Sequence, residues 1–257
     1  MNSDRTDHPK HVETSSEISI REDQISYQIE GNQYDGYIYY NEHQEGKRPG
    51  ILVVHEWWGL NDYSRYRARE LAKLGYISMA VDMFGAGKTA EDPTGAQHLA
   101  MPFYKDPTLS KARLDPAIAL LKTYPQTDSS KMGAIGYCFG GSMVLNAAKL
   151  GADLKGVVSF HGGLSGVKPV KGLLKAKVLV CHGAEDPMAN PDVAGFKNDM
   201  DAAGADYIFK VYPGATHAFS NPNATAKGEK YHMPIRYNEA ADKASWNDMK
   251  AFFQKIF

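Results

Sequence analysis

The sequence has little cysteine, almost no net charge and no long apolar run. Only two of its 257 residues are cysteines, Cys138 and Cys181, which is too few for a disulfide framework and fits a reducing compartment. The formal net charge of −1 gives no reason to expect a nucleic acid or a charged membrane surface as a partner. No window approaches the apolar length of a transmembrane helix. We therefore expect a cytoplasmic globular protein whose partner is a small molecule.

Length and composition favour one large domain. A chain of 257 residues with 43% apolar content can bury a sizeable core in a single α/β domain, which we place at residues 18–257. Residues 1–17 are polar and lack the apolar core of a signal peptide, so they are predicted to be a disordered lead-in. Export after removal of a signal farther upstream stays an open alternative, and so does the choice between monomer and homodimer.

The pattern of apolar residues predicts a mostly parallel sheet with an antiparallel portion at its N-terminal end. Apolar and polar residues alternate over 16–20, 24–30 and 35–40, which predicts three antiparallel strands. After residue 50, strand and helix patterns alternate, which is typical of a twisted parallel sheet with helices on both faces. We also expect a break or a helix start at Pro116, and a loop over residues 213–238.

Residues 131–142 contain the pattern around which the rest of the chain is organised. A short apolar run leads into Gly-Tyr-Cys-Phe-Gly at residues 136–140, which has the form G-x-nucleophile-x-G, and a helical pattern follows. Such a strand–turn–helix forces its central residue into a strained conformation, and small residues on either side let the backbones approach. Cys138 is therefore predicted to be a nucleophile at the carboxyl edge of the sheet. The alternative is that Cys138 is a small core residue and the glycines merely turn the chain.

Two later loops supply the partners that a cysteine nucleophile needs. Asp186 and His217 each follow a predicted strand, and the order of nucleophile, acid and histidine is the one found in α/β-hydrolases. Because a thiol is mostly protonated near neutral pH, His217 is predicted to take the proton of Cys138 while Asp186 orients the imidazole. The simpler alternatives are a turn or helix-cap role for Asp186 before Pro187 and an ordinary loop role for His217.

These motifs resemble those of the dienelactone hydrolase family within the α/β-hydrolases. The likeness is carried by residues 136–141, 55–59, 182–186 and 217–219, and it extends over roughly residues 20–257. The resemblance implies an α/β-hydrolase fold and a hydrolase of small carboxylic esters or lactones that needs no metal or organic cofactor. It also implies that Glu56 helps to generate the thiolate. A surface ion pair with a nearby Arg or Lys is the alternative for Glu56.

The remaining predicted site residues bind the substrate. A developing oxyanion needs two oriented backbone donors, for which we assign the amides of Phe139 and Trp57. The substrate pocket is predicted from aromatic and polar residues near the same loops, namely Trp58, Phe84, Lys88, Tyr137, His161 and Phe219. The resemblance implies two carboxylate-binding arginines, but the corresponding stretches here contain only Lys88 and Asn221. A neutral ester or lactone is therefore the expected substrate.

Three other functions are compatible with parts of the pattern. The strongest rival is a non-enzymatic thiol redox sensor or ligand-binding protein on the same fold, because a reactive thiol is also prone to oxidation. A metal-dependent hydrolase is disfavoured because no H-x-x-x-H or C-x-x-C spacing occurs. A peptidase is the third alternative, although peptidases of this fold usually carry a large extra domain.

The second cysteine, Cys181, lies at the end of an apolar strand. It is expected to be a buried, inert thiol.

Overall fold

The computed structural model describes residues 18–257, in which eight strands form one sheet with helices on both faces. The predicted lead-in at residues 1–17 lies outside the described residues. The strands are β1 (Ile20–Ile29), β2 (Asn32–Asn41), β3 (Arg48–Val54), β4 (Ile77–Val81), β5 (Thr127–Tyr137), β6 (Gly156–Phe160), β7 (Lys177–Gly183) and β8 (Tyr207–Tyr212). The α-helices are α1 (Asp62–Lys73), α2 (Pro93–Lys105), α3 (Leu109–Thr123), α4 (Phe139–Lys149), α5 (Val193–Ala202), α6 (Ala224–Tyr231) and α7 (Glu239–Ile256).

The order of the strands is β1-β2-β4-β3-β5-β6-β7-β8. β1 pairs antiparallel with β2, and β2 pairs antiparallel with β4, while all other neighbours are parallel. The prediction of a mostly parallel α/β sheet with an N-terminal antiparallel portion is therefore confirmed. Because the parallel strands start at one edge and finish at the other, the loops that follow them gather at a single edge of the sheet.

The core consists of two apolar layers, one on each side of the sheet. Leu71 of α1 and Phe253 of α7 pack on one face. Ile118 of α3, Val144 of α4 and Met200 of α5 pack on the other face. Each side chain of this size contributes about 1.5–3 kcal/mol when it is fully buried. Strands β4 and β6 are buried at every position because helices cover both of their faces.

The prediction of three N-terminal strands is wrong in number. Strand β1 covers most of the second predicted segment but only residue 20 of the first, whose residues 16 and 17 lie outside the described residues, and Ile18 and Ser19 precede β1 without regular structure. β1 and β2 form a hairpin whose two turn residues, Glu30 and Gly31, have φ of 50° and 80°. Positive φ at both central residues gives the tight turn that matches the twist of paired strands, so a long two-stranded hairpin replaces the predicted meander.

Two predictions for the later segments are also wrong. Helix α3 continues through Pro116 without a break. A proline inside a helix costs about 3 kcal/mol, but the apolar face of α3, which includes Leu114 and Leu121, is buried and stabilises the helix on both sides of the proline. The expected loop over residues 213–238 contains helix α6. Tertiary packing, which local sequence does not show, decides both outcomes.

The turn between β5 and α4 holds Cys138 at φ 53° and ψ −114°. A Cβ added at Gly136 would lie 2.1 Å from the carbonyl oxygen of Gly140, and a Cβ added at Gly140 would lie 2.2 Å from the carbonyl oxygen of Val54. The turn can therefore close only where both positions lack a side chain. This contact places the start of α4 directly against the end of β3.

We predict that Gly140→Ala lowers the free energy of unfolding by about 3 kcal/mol or more, because the new methyl group meets rigid backbone. Gly195→Ala in α5 is the matched control, since a Cβ there meets nothing within 4 Å. That control should stabilise the protein by about 0.5–1 kcal/mol, as Gly to Ala changes do in helices. Urea unfolding of both variants measures the difference. Equal stabilities would contradict the close approach.

Candidate active site

The loops that follow the parallel strands meet around one cavity of about 500 Å³. Glu56 follows β3, Cys138 follows β5, Asp186 follows β7 and His217 follows β8. Glu56, Cys138 and His217 line the cavity, and Asp186 lies buried behind His217. The walls are mainly apolar and include Trp57, Trp58, Met101, Phe103, Tyr104, Met188, Met233 and Ile235.

Cys138, His217 and Asp186 form a continuous chain of polar contacts. Nε2 of His217 lies 3.0 Å from Sγ of Cys138, and Nδ1 of His217 lies 2.8 Å from Oδ2 of Asp186. Oδ1 of Asp186 accepts hydrogen bonds from the amides of Met188 (2.9 Å) and Ala189 (3.2 Å). Since the carboxylate can only accept, Nδ1 of His217 carries a proton and its Nε2 faces the thiol. The structure thus brings these three predicted residues together.

The charges in this chain support one another. Burial alone would raise the pKa of Asp186, but the hydrogen bond and charge of His217 and the two amides hold this pKa below its ordinary value. Burial alone would lower the pKa of His217, but the charge of Cys138 and the hydrogen bond with Asp186 hold it well above its ordinary value. The arrangement therefore stabilises a positive charge on the ring of His217.

The backbone is strained at three positions around Cys138. Cys138, His161 and Ala218 have φ of 53°, 43° and 57°, a region that residues other than glycine seldom adopt. Each such residue costs about 1–3 kcal/mol and persists only where its surroundings hold it. The three lie on adjacent loops at the carboxyl edge of the sheet. Strain concentrated around one residue is typical of a functional site.

Glu56 is buried rather than paired at the surface. Only 3% of the residue is exposed, and its Oε2 accepts a hydrogen bond of 2.7 Å from Nδ2 of Asn221. Burial raises the pKa of Glu56, although the Asn221 hydrogen bond and the charges of Lys227 and His217 oppose this shift. A surface ion pair with Arg or Lys, the alternative for this residue, is not what the structure contains. Glu56 borders the same cavity as Cys138.

Both predicted oxyanion donors lie beside Cys138. Trp57 and Phe139 line the cavity. Within residues 18–257, neither backbone amide donates to a protein acceptor. Phe139 is also the first residue of α4, where the helix dipole places partial positive charge. The two amides are therefore available to an atom bound in the cavity.

Of the six residues predicted to form the substrate pocket, only Trp58 lines the cavity that contains Cys138. Tyr137 precedes the nucleophile on β5 and so points to the opposite face of the sheet, where its ring stacks on Phe160 at 4.8 Å. His161 and Phe219 are buried and contact each other behind the cavity, with ring centroids 5.0 Å apart. These three residues do not line the cavity.

The remaining two residues, Phe84 and Lys88, lie in a different place. They line a second cavity of about 270 Å³. Phe103 lines both cavities and separates them. Lys88, which was predicted to line the substrate pocket, therefore lies outside the cavity that contains Cys138.

Sequence reasoning missed Lys227, which is the only Lys or Arg among the described residues that line the first cavity. It lies on α6, the helix that was expected to be a loop, and its Nζ is 3.7 Å from the centre of the Trp58 ring. Burial lowers the pKa of Lys227, and the charge of Glu56 opposes this shift. No short-range signal connects Lys227 with Cys138, because the packing of α6 alone places it here.

Cys181 is the second cysteine and differs sharply from Cys138 in its environment. It is completely buried in β7. Its Sγ lies 3.5 Å from the hydroxyl of Tyr212, and burial raises its pKa to about 12. A thiol with so high a pKa stays protonated and unreactive at neutral pH, as expected for a structural cysteine.

Two further properties of residues 18–257 concern membranes and metal ions. No helix there is long and apolar enough to cross a membrane. In the same residues, no group of three or more His, Cys, Asp or Glu side chains is gathered so that it could hold a metal ion.

A nucleophile turn followed along the chain by a buried acid and a histidine, on a sheet of this topology, defines the class of α/β-hydrolase-fold proteins. The model of the dienelactone hydrolase family matches residues 34–257. The chain belongs to this family, as its motifs predicted, and its fold and membership indicate a hydrolase.

Three similar proteins illustrate the relationship. A solved dienelactone hydrolase-like promiscuous phosphotriesterase from metagenomic libraries is 31% identical, with a TM-score of 0.86 over 93% of this chain and 99% of that one. Protein usf of Aquifex pyrophilus is 30% identical over 80% of this chain and 88% of its own length. A putative carboxymethylenebutenolidase of Methylorubrum extorquens is 32% identical over 68% of this chain and 64% of its own length.

We predict that His55 makes stability depend on pH. His55 is fully buried, its Nδ1–H donates to the carbonyl of Glu56 (2.5 Å), and its Nε2 accepts from the amide of Met83 (3.2 Å). Burial lowers its pKa to about 4. The unfolded chain binds this proton near pH 6.5, so stability should be lost as pH falls from about 6.5 to 4, by at most about 1.4 kcal/mol per pH unit.

Urea unfolding of wild type and His55→Gln at several pH values between 7 and 4 tests this dependence. The quantity to compare is the slope of the unfolding free energy against pH, because the substitution also changes stability at every pH. A shallower slope in His55→Gln is the expected result. Parallel curves would show that His55 does not bind its proton on unfolding.

Proposed function

We propose that the protein hydrolyses small carboxylic esters or lactones, with Cys138 as nucleophile, His217 as base and acid, and Asp186 as the group that orients His217. The observation that carries the proposal is the chain of contacts at 3.0 Å and 2.8 Å that ends at the cavity. Membership of the dienelactone hydrolase family supports it. So does the name carboxymethylenebutenolidase, which several relatives carry.

In the first half of the reaction, Nε2 of His217 takes the proton of the Cys138 thiol. The thiolate attacks the carbonyl carbon of the substrate, and the carbonyl electron pair moves to oxygen. The amides of Trp57 and Phe139 then donate hydrogen bonds to this oxyanion, and removal of one such donor typically costs ~10²–10³ in rate. When the C–O bond breaks, His217 returns its proton to the leaving alkoxide, and a thioester remains on Cys138.

In the second half, water replaces the alcohol. His217 removes a proton from this water, and the resulting hydroxide attacks the thioester carbonyl at the same oxyanion site. The C–S bond breaks, the acid departs, and the proton on His217 restores the starting pair. A lactone follows the same steps, except that its alcohol and acid leave as one molecule.

Glu56 has a supporting place in this scheme. Its carboxyl group is buried beside the cavity, and burial raises its pKa. Such a group can hold a proton close to Cys138, and movement away from Asn221 would change the charge next to the thiol. We therefore propose that Glu56 modulates formation of the thiolate. Because the thiol must stay reduced for this reaction, we place the protein in the cytoplasm.

The cavity limits the substrate class. A volume of about 500 Å³ with mainly apolar walls accommodates a small ester or lactone rather than a polymer. Lys227 adds one positive charge to the cavity wall. Glu56 lines the same cavity and carries a negative charge when it is ionised. The apolar walls favour a neutral acyl group, while Lys227 tolerates an anionic one.

We predict that Cys138→Ala reduces hydrolysis of 4-nitrophenyl acetate by ~10³-fold or to the buffer rate, because it removes the nucleophile. Intact-mass analysis after a brief quench should find an acetyl group on wild type and none on the variant. Cys181→Ala is the matched control, because that thiol is buried and outside the cavity. It should keep both turnover and the adduct.

One specific result would favour the rival function. Asp186→Asn should lose turnover, since the imidazole would no longer be held in the required tautomer. A thiol redox sensor has no use for that orientation. If peroxide oxidises Cys138 readily, Asp186→Asn leaves that oxidation intact, and no ester is ever turned over, the protein is a sensor rather than a hydrolase.

We predict that Lys227 sets the preference between anionic and neutral acyl groups. The comparison uses 4-nitrophenyl hydrogen adipate, which ends in a carboxylate, and 4-nitrophenyl hexanoate, which is neutral. Lys227→Met should lower kcat/KM for the first about 5-fold relative to the second, since a partly exposed ion pair contributes on the order of 1 kcal/mol. The control is Lys230→Met on the same helix, which lies outside the cavity. An unchanged ratio would remove Lys227 from substrate binding.

A further inference from the structure

His161 contacts the nucleophile from behind the cavity. Its Nδ1 lies 3.2 Å from the backbone nitrogen of Cys138, whose N–H also donates to the carbonyl of Phe160 at 3.0 Å. Its Nε2 lies 2.7 Å from Oγ of Ser220, three residues beyond His217. We propose that His161 is a positioning residue that holds the Cys138 turn and the His217 loop together through one neutral tautomer. The proposal rests on the function proposed above for Cys138 and His217.

The hydrogen bonds determine this tautomer. A backbone N–H can only donate, so Nδ1 of His161 must accept the bond from Cys138. The ring proton of a neutral imidazole is then on Nε2, which donates to Oγ of Ser220. The hydroxyl of Ser220 donates in turn to the hydroxyl oxygen of Tyr63 at 2.8 Å, and the Tyr63 hydroxyl donates to the carbonyl of Ser220 at 2.9 Å. Every donor in this series of hydrogen bonds therefore has an acceptor.

Arg67 anchors the far end of the network. It is buried, its Nη2 donates to the carbonyl of Ser220 at 2.9 Å, and its Nε donates to the Tyr63 hydroxyl at 3.3 Å. The same guanidinium forms an ion pair with Asp242 of α7. A guanidinium stays protonated and has no acceptor atom, so Arg67 is the donor in each of its bonds in the network. The nucleophile is thereby connected to helices α1 and α7.

The strained backbone explains why such a connection is needed. Cys138, His161 and Ala218 all have positive φ, and the network joins the three loops on which they lie. Strained loops relax unless contacts on several sides hold them. Nδ1 of His161 contacts the loop of Cys138, and its Nε2 contacts the loop that carries His217 and Ala218. It therefore holds Sγ of Cys138 within reach of Nε2 of His217.

The neutral state of His161 also separates it from His217. The two rings lie 5.6 Å apart. The charged groups facing His161 are His217, Asp186 and Arg67, and burial together with the positive charges holds the pKa of His161 well below its ordinary value. A second ring proton would set an N–H against the N–H of Cys138. Only His217 can therefore receive the thiol proton, although two histidines lie close to the nucleophile.

Two substitutions of His161 test the contact with Cys138. His161→Asn keeps an acceptor in the position of Nδ1 and tolerates positive φ, whereas His161→Leu removes both ring nitrogens. We expect His161→Leu to lower kcat ~10²-fold with KM nearly unchanged, because a small displacement of the nucleophile costs rate rather than binding. His161→Asn should recover most of the loss. Ser220→Ala removes the hydrogen-bond partner of Nε2. It should lower kcat about 10-fold, a smaller loss than that expected for His161→Leu.

Alkylation of Cys138 by iodoacetamide provides a second readout that needs no ester. The rate, measured against pH by mass spectrometry of the Cys138 peptide, reports the pairing of Cys138 with His217. His161→Leu should shift this pH profile, and His161→Asn should restore it. Ser78→Ala is the matched control: its hydroxyl is buried and donates to the carbonyl of Ala68 at 2.6 Å, outside the network. It should change stability but neither kcat nor the alkylation profile.

The outcomes separate the two proposals. A folded His161→Leu whose kcat and alkylation profile match wild type would overturn the positioning role, and so would a His161→Asn that falls as far as His161→Leu. If His161→Leu does not fold, Ser220→Ala decides, and wild-type values for both measurements would overturn the role. If wild type turns over no ester, the hydrolase proposal fails by itself, while the alkylation profiles still decide what His161 does.

Discussion

The structure depends on the close contact between the start of α4 and the end of β3. Neither Gly136 nor Gly140 has room for a Cβ, and the backbone between them is forced into the left-handed region at Cys138. This constraint lifts the thiol out of the sheet and leaves the Phe139 amide without a protein partner. The proposed nucleophile and a proposed donor for an oxyanion therefore arise from one backbone arrangement. Side chains on the other loops are then placed around that point.

The pKa values of the two histidines near the thiol are shifted in opposite directions, although burial by itself lowers both. His217 has a carboxylate at one nitrogen and a thiol at the other, so positive charge on its ring is stabilised. His161 has an N–H donor at one nitrogen and a hydroxyl at the other, so positive charge on its ring has no partner. Desolvation is similar for both rings. The chemical identity of the neighbours decides which histidine is charged.

The residues that could be predicted from the sequence are those whose placement follows from local structure. Cys138 comes directly after β5, and Asp186 and His217 lie in the loops that follow β7 and β8, so the parallel strands bring all three to one edge. The pocket was predicted poorly because its walls come from α2 and α6, whose positions depend on distant packing. Tyr137 shows that the direction of a side chain can be predicted wrongly even for a neighbour of Cys138 in the sequence. It adjoins the nucleophile in sequence, yet the alternation of a strand turns its side chain to the other face.

The position of Phe103 has a consequence for how the protein could evolve. Its ring is the partition between the main cavity and the smaller one lined by Phe84 and Lys88. Exchange of this ring for a small side chain would join the two spaces and bring the ammonium of Lys88 within the same compartment as the thiol. Larger or more acidic acyl groups could then enter without any change at Cys138, His217 or Asp186. In the proposed function, the substrate range could thus change while the reaction steps stay the same.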